Sequence, residues 1–252
     1  MNVKIPNIPT YILNIPSRIE RKQNALLQAK KLGIKKPIIF PAITPDDLVI
    51  PEKELDNPLN KINRFTAGCF AARASFLAII DHAIYTKKPY FLYMEDDVCM
   101  VDTAKTELEL ILKLLPKDWD VLLLSVYHYD KPDLINNHVV KANGTWAMNL
   151  AMFNKSSYGR LFKLVSEGFR GADLTVGMTK WLGSDLNVYA ARYNIGYETT
   201  DMKSDIINRV ETKELPIDVF THIEITPIEI ALAQNPTLNI TQIWEEINAK
   251  TN

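Results

Sequence analysis

Three consecutive carboxylates, Glu95, Asp96 and Asp97, follow directly on the apolar run Tyr90-Phe91-Leu92-Tyr93-Met94. An aromatic-rich apolar run set off by Pro89 reads as a buried strand. Three acids at its end are costly unless water, hydrogen-bond donors or a cation meets them. In open α/β sheets the ligand crevice lies at the carboxyl ends of the strands. A hard divalent ion held by one or two carboxylates together with substrate phosphates would answer that cost. A solvated strand-to-loop junction whose acids cap the next helix would answer it as well.

Arg18 and Arg21 are the second group with chemical interest. They fall in the first turn of a helix predicted to follow the first strand, where cations oppose the helix dipole. A bound anion would relieve that opposition, because helix N-termini and guanidinium forks both suit phosphate. Two solvated surface arginines are the plainer alternative. Other chemistries lack their signatures. There is no phosphate-binding GxxxxGK[ST] loop, no GxGxxG after the first strand, no GxSxG and no HExxH. Four scattered histidines and two cysteines, Cys69 and Cys99, argue against a zinc centre. Carboxylate chemistry, with or without a divalent ion, is what remains.

The elements that must position these residues alternate. Thr10 to Ile15 is predicted as a strand, and Ser17 to Glu20 has capping-box spacing for a helix that stops at Gly33. Ile19, Leu26, Leu27 and Leu32 would form its buried face. Lys36 to Phe40 is a second strand, and a helix from Thr66 to about Thr86 would bury Phe70, Ala71, Ala74, Leu77 and Ala78. Asp102 is placed to cap a helix ending before Pro116, with Leu108, Ile111, Leu112 and Leu115 inward. Asp118 to Ser125 is a further buried strand, with Tyr127 to Asp130 just beyond its end. His138 to Ala142 and Thr145 to Phe153 would be two strands joined at the tight-turn pair Asn143-Gly144. A helix begins at Ser156 or Ser157, and Leu186 to Ala191 is a short strand. This order predicts an α/β domain with a mixed, mostly parallel central sheet flanked by helices.

The bulk properties agree. The 252 residues suffice for one large or two small domains, and 47% hydrophobic with 23% charged residues is an ordinary globular composition. A net charge of −1 excludes nucleic-acid binding through global electrostatics. Two cysteines make no disulfide framework, which fits a reducing compartment. No secretory leader and no run of some twenty apolar residues is apparent, so the expectation is a soluble, cytoplasmic protein with no transmembrane segment.

The order of these segments resembles the family-25 glycosyltransferases, which include lipopolysaccharide-type sugar transferases and collagen galactosyltransferase domains. The resemblance is carried by Tyr11-Ile12-Leu13-Asn14-Ile15 with Arg18 and Arg21, then Gly68-Cys69 leading an Ala-rich helix. It continues in Phe91 to Val98, Trp119-Asp120, Thr145 to Met148, Asp173 and Ser204-Asp205-Ile206. It spans about residues 10 to 207. One departure is plain: Ala71-Ala72-Arg73 stands where family members carry Leu-Ser-His.

What the resemblance implies is a GT-A fold, Rossmann-like and nucleotide-binding, over residues 1–207. Outside it, Thr226 to Glu229 has capping-box spacing and Ile240 to Asn248 is amphipathic, so 208–252 is expected as a helical extension packed on the same domain. The resemblance also implies a nucleotide-sugar donor, of the UDP-sugar kind, a Mn²⁺ or Mg²⁺ ion, and inversion at the anomeric carbon. The acceptor would be a glycan, a lipid-linked sugar or a glycoprotein. Glu95 and Asp97 would hold the metal. Asn14, Arg18, Arg21, Arg73, Asp96, Ser204 and Asp205 would lie at the donor. Asp173, or failing it Asp185, would be the general base. The departure at Arg73 leaves open a decayed scaffold that binds nucleotide sugars or glycans without turnover.

Overall fold

The computed structural model describes residues 4–50, 67–128, 130–167, 176 and 184–199. Its strands are β1 (Thr10–Asn14), β2 (Ile38–Pro41), β3 (Tyr90–Glu95), β4 (Val98–Met100), β5 (Val121–His128), β6 (Asp133–Leu134), β7 (Val139–Lys141), β8 (Thr145–Asn154), β9 (Val188–Ala191) and β10 (Gly196–Glu198). The α-helices are α1 (Ile19–Leu32), α2 (Ala67–Tyr85), α3 (Ala104–Leu114) and α4 (Tyr158–Glu167). Eight strands form one sheet in the order β2-β1-β3-β8-β5-β9-β7-β6. β1, β2 and β3 run parallel, as do β5 and β9, while β8 runs against both β3 and β5. β4 and β10 form a separate antiparallel ribbon. This is the mixed, mostly parallel sheet flanked by helices that the sequence predicts.

Two cores lie on the two faces of the sheet. One gathers Ile12, Leu92, Met94, Leu122, Leu124 and Met152 with residues of α1 and α3. The other gathers Tyr11, Phe91, Phe153, Val121 and Leu123 with residues of α2 and α4. Strands buried on both faces account for the near-continuous apolar runs in the sequence.

α1 turns a different face inward from the one its large apolar residues suggest. Ala25, Gln28, Ala29 and Leu32 are buried, whereas Ile19 is 63% and Leu27 54% exposed, and Leu26 is exposed as well. Two alanines one turn apart let the helix backbone lie close to the layer beneath it. The flank beside them is polar, because it must pair with the backbone around β4: Asn24 donates to its carbonyls and Gln28 accepts from the Met100 N–H. The Ser17 capping box also fails to form: Arg18 is the N-cap residue and no side chain caps the helix. The stop at Gly33 does form. Its φ of 89° is left-handed, and its N–H donates to the carbonyls of Ala29 and Lys30.

Three further expectations change. In α2 only Ala71 of the predicted face is fully buried; Ser75, Phe76, Ile79, Ile80 and Ala83 join it. Phe76 is drawn inward by edge contacts with Tyr93 and Phe153 of the sheet, at 5.4 and 5.2 Å between ring centroids. α2 is apolar nearly all round, so its own pattern could not choose a face. It is also 19 residues long and apolar enough to cross a membrane by length and composition. Here it packs as a core helix with Ser75, Phe76 and Ile79 against the fold. α3 starts from Thr103 and not from Asp102, although its inward residues are those expected. Finally, β7 and β8 are not a hairpin. β7 pairs with β9 and β6, and β8 inserts between β3 and β5. Asn143-Gly144 therefore ends one strand and begins another across two intervening strands. Turn chemistry marks a reversal but does not choose the partner.

The α1 packing yields a direct test. Ala29→Leu should destabilise the protein by about 1–3 kcal/mol through overpacking. Leu27→Ala should stay within about 0.5 kcal/mol of the parent. Urea unfolding of both variants measures this, and the reverse ranking would mean that the inward face of α1 is the other one.

Candidate functional site

β3 delivers Glu95, Asp96 and Asp97 to the carboxyl edge of the sheet, and the chain turns there into β4. Asp96 and Asp97 are 6% and 8% exposed, so this is no solvated junction. Asn14, at the end of the neighbouring β1, is also buried and donates from Nδ2 to Asp96 Oδ2 at 2.7 Å and to the Arg18 carbonyl at 3.2 Å. Arg21, from the first turn of α1, places one guanidinium nitrogen 2.8 Å from Asp96 Oδ1 and bonds Asp97 Oδ2 with the same nitrogen. The arginine is thus inserted between two buried aspartates.

Two polar residues extend this contact along α1. Asn24 Nδ2 lies 3.4 Å from the carbonyl oxygens of both Asp96 and Val98. Gln28 donates to Asn24 Oδ1 at 3.1 Å and accepts from the Met100 N–H at 3.0 Å. Arg21, Asn24 and Gln28 stand three and four residues apart, the spacing of a single helix face. That row was readable in the sequence as a polar stripe, and nothing in the sequence said that it faces inward. Glu198 was not anticipated. β10 pairs it with Val98, and Thr199 donates its N–H to the Asp97 carbonyl at 2.8 Å.

The electrostatics of Asp97 follow. Burial raises its carboxyl pKa above the usual range, Arg21 opposes that rise, and Glu198 and Asp96 add to it. Its Oδ1 atom is buried and has no hydrogen-bond partner among the described residues. A buried carboxylate oxygen left without a donor costs about 1–3 kcal/mol or more.

Among the described residues no three Asp, Glu, His or Cys side chains converge as a ready-made metal cage. The arrangement fits a different mode of cation binding, in which one or two carboxylates hold an ion whose remaining ligands are water and substrate phosphates. Asp97 Oδ1 is the oxygen available for that. Glu95, whose Oε1 accepts from the Tyr93 hydroxyl at 3.0 Å, sits two residues away on the same strand end.

The other predicted residues disperse. Arg18 is exposed at the start of α1 and contributes its backbone. Arg73 lies on α2 with its guanidinium 5.1 Å from the Phe70 ring centroid. Asp185 does not join the acids. It is exposed, pairs with Arg160 at 3.1 Å, and precedes β9 at the opposite, amino-terminal edge of the parallel strands. There Arg160 also binds Asp120 at 2.6 Å, and Asp120 accepts from Ser156 and the Asn187 N–H. That network ties β5, α4 and β9 together. Asp173, Ser204, Asp205 and the extension 208–252 lie outside the described residues.

His128 ends β5 inside the strand, where the sequence suggested a loop. It is 1% exposed, and burial lowers its pKa to about 4. It is therefore a neutral core residue.

No protein-family model matches the sequence, and no curated protein does. Solved structures do resemble the chain. Apo UDP-glucose pyrophosphorylase is 10% identical with a TM-score of 0.43, over 74% of this chain and 91% of that one. A glycosyltransferase involved in glycosylation of the major capsid of PBCV-1 is 11% identical with a TM-score of 0.42, over 73% and 81%. The inositol-1-phosphate CTP transferase from T. maritima is 11% identical with a TM-score of 0.43, over 80% and 94%. Two of the three are transferases by name, and the other is a pyrophosphorylase. At these scores they carry nothing about the chemistry of this chain, which rests on the site itself.

Arg21→Leu should cost about 3–5 kcal/mol, because it leaves two buried carboxylates without their cation. Adding Asp97→Asn should restore part of that loss, and simple additivity of the two changes in urea unfolding would disprove the coupling. A pH dependence follows as well. Below pH 6.5 the unfolded chain protonates His128 while the folded state refuses the proton until about pH 4, so stability is lost as pH falls across that window. Asp97 acts oppositely: its raised folded pKa makes stability fall as pH rises above 3.8. His128→Gln should therefore weaken acid destabilisation between pH 6.5 and 4, and Asp97→Asn should strengthen it, as read by melting temperature against pH.

Proposed function

We propose that this protein is a metal-dependent glycosyltransferase of the GT-A fold, akin to family 25, that moves a sugar from a nucleotide-sugar donor, of the UDP-sugar kind, to a hydroxyl of a glycan or glycoconjugate. The observation that supports it most is the buried Oδ1 of Asp97, without a partner among the described residues, at the carboxyl edge of the sheet beside Asp96 and Arg21. A strand edge of this kind is where α/β folds bind nucleotides. Mn²⁺ or Mg²⁺ would be held by Asp97 with Glu95, and when bound it would neutralise charge on the departing diphosphate.

The protein's own residues carry the rest. Asn14 fixes the Asp96 carboxylate, and the α1 row Arg21, Asn24 and Gln28 holds the acid turn in place. Arg21 balances the aspartates, and its guanidinium is of the kind that also suits phosphate oxygens. Asp173 would be the base that takes the proton from the acceptor hydroxyl. The acceptor oxygen then attacks the anomeric carbon as the carbon–oxygen bond to the nucleoside diphosphate breaks, with inversion.

The Arg21 ion pairs favour one second possibility. Both aspartates already have a cation, so the fold could bind nucleotide sugars or glycans without turning them over.

Thermal unfolding with UDP, GDP and their sugar derivatives, each with and without Mn²⁺, tests both. The transferase should show stabilisation by one nucleotide class that requires metal, since a ligand of the native state at about 100 times its Kd adds about 2.7 kcal/mol. Asp97→Asn should remove the metal requirement together with the shift. Binding without release of nucleoside diphosphate in the presence of glycan acceptors would select the non-catalytic alternative, and no nucleotide response at all would end both.

A further inference from the structure

A second feature sits at the same carboxyl edge, two strands away from the acids. Tyr127 of β5 and Trp146 of β8 are cross-strand partners, both half-buried, with ring centroids 5.7 Å apart and planes inclined by 36°. The backbone beneath them is irregular. The β5–β8 register shifts between Leu123 and Ser125 and again between Ser125 and Tyr127. Ala147, next to Trp146, has φ 66°, a left-handed conformation that alanine rarely adopts. Bulges and strained residues re-aim side chains and cluster at functional sites.

The irregularity is also built to last. The backbone of Val126 loses its ladder partners at the shift and is satisfied by Asn194 instead. Asn194 is 7% exposed, its Oδ1 accepts from the Val126 N–H at 3.1 Å, and its Nδ2 donates to the Val126 carbonyl at 2.9 Å. The β4–β10 ribbon that carries Asp97 and Glu198 at one end packs on β5 and β8, the strands that bear the aromatic pair. Two strand spacings, about 10 Å, separate β3 from β5. That is about the reach from a bound diphosphate to a sugar attached to it or to the sugar beyond.

We infer that Tyr127 and Trp146 form a stacking platform for a saccharide ring, held in its tilt by Asn194 and the Ala147 kink. Aromatic faces offer an apolar surface with a negative potential, which suits the polarised C–H groups on one face of a pyranose. The platform deepens the transferase proposal, since a sugar bound here would belong either to the donor or to the acceptor. It stands on observations separate from Asp97.

Saturation-transfer NMR tests it with methyl β-galactopyranoside, methyl α-glucopyranoside, UDP-galactose, UDP-glucose and UDP, with diamagnetic Mg²⁺ present. Sugar-ring protons of at least one probe should receive saturation in the parent. Trp146→Ala should weaken that binding about tenfold, and Trp146→Phe should largely restore it. Asn194→Ala should weaken sugar binding while leaving UDP binding intact, a split that general loss of folding would not give. Response from the methyl glycosides alone assigns the platform to the acceptor, and response only from the sugar of a UDP-sugar assigns it to the donor. The inference is overturned if no sugar ring is saturated, if Trp146→Ala leaves sugar binding unchanged, or if it is the uracil protons that lose saturation. Glycoside binding without any nucleotide binding would sink the transferase proposal and leave the platform standing; Trp146-independent binding of UDP-sugar would do the opposite.

Discussion

One guanidinium between two buried aspartates holds this structure's chemical end in place. Arg21 cannot reach Asp96 and Asp97 unless α1 lies across the β3–β4 turn, and the acids cannot stay buried without it. Asn24 and Gln28 continue the contact down α1, each meeting backbone that the turn leaves outside the sheet ladder. The requirement for these donors and for the Gln28 acceptor sets the rotation of α1. It explains why leucine and isoleucine side chains on that helix face solvent while alanines and a glutamine face in. A large apolar residue is cheap to leave exposed compared with a buried carboxylate or backbone carbonyl left without a donor.

The ends of the sheet have divided roles. At the amino-terminal edge of β5 and β9, Asp120 has both carboxylate oxygens satisfied, by Arg160 and Ser156 on one and the Asn187 N–H on the other. At the carboxyl edge, Asp97 retains an oxygen without a partner among the described residues, the β5–β8 ladder is broken twice, and Ala147 is strained. Stable proteins keep such features where a ligand or a reaction uses them. The asymmetry between the two edges is the physical basis for placing function at one and architecture at the other.

Much of this was legible beforehand. The strand Tyr90 to Glu95, its acidic end, the Gly33 stop and the inward residues of α3 are all local patterns: an apolar run, a change to charge, a residue that tolerates positive φ, and a period of 3.6. Asn14, Arg21, Asp96 and Asp97 were singled out one by one, and the fold brings those four into contact. Asp185 was singled out too and lies at the wrong edge, because a carboxylate in a loop carries no mark of the strand end it will occupy. Asn24, Gln28 and Glu198 were missed, being ordinary polar residues until their partners are known.

The sequence by itself determined the alternation of strands and helices, the burial of the sheet on both faces and the position of three acids at a strand's end. These depend on neighbours a few residues away, and periodicity records them. Only the tertiary structure decided that β8 inserts between β3 and β5 in place of pairing with β7, which face of α1 and α2 turns inward, and which arginine meets which aspartate. Those outcomes depend on contacts between residues as far apart as Arg21 and Asp97. Long-range pairing is settled by the joint packing of all layers, which no local stretch of sequence encodes.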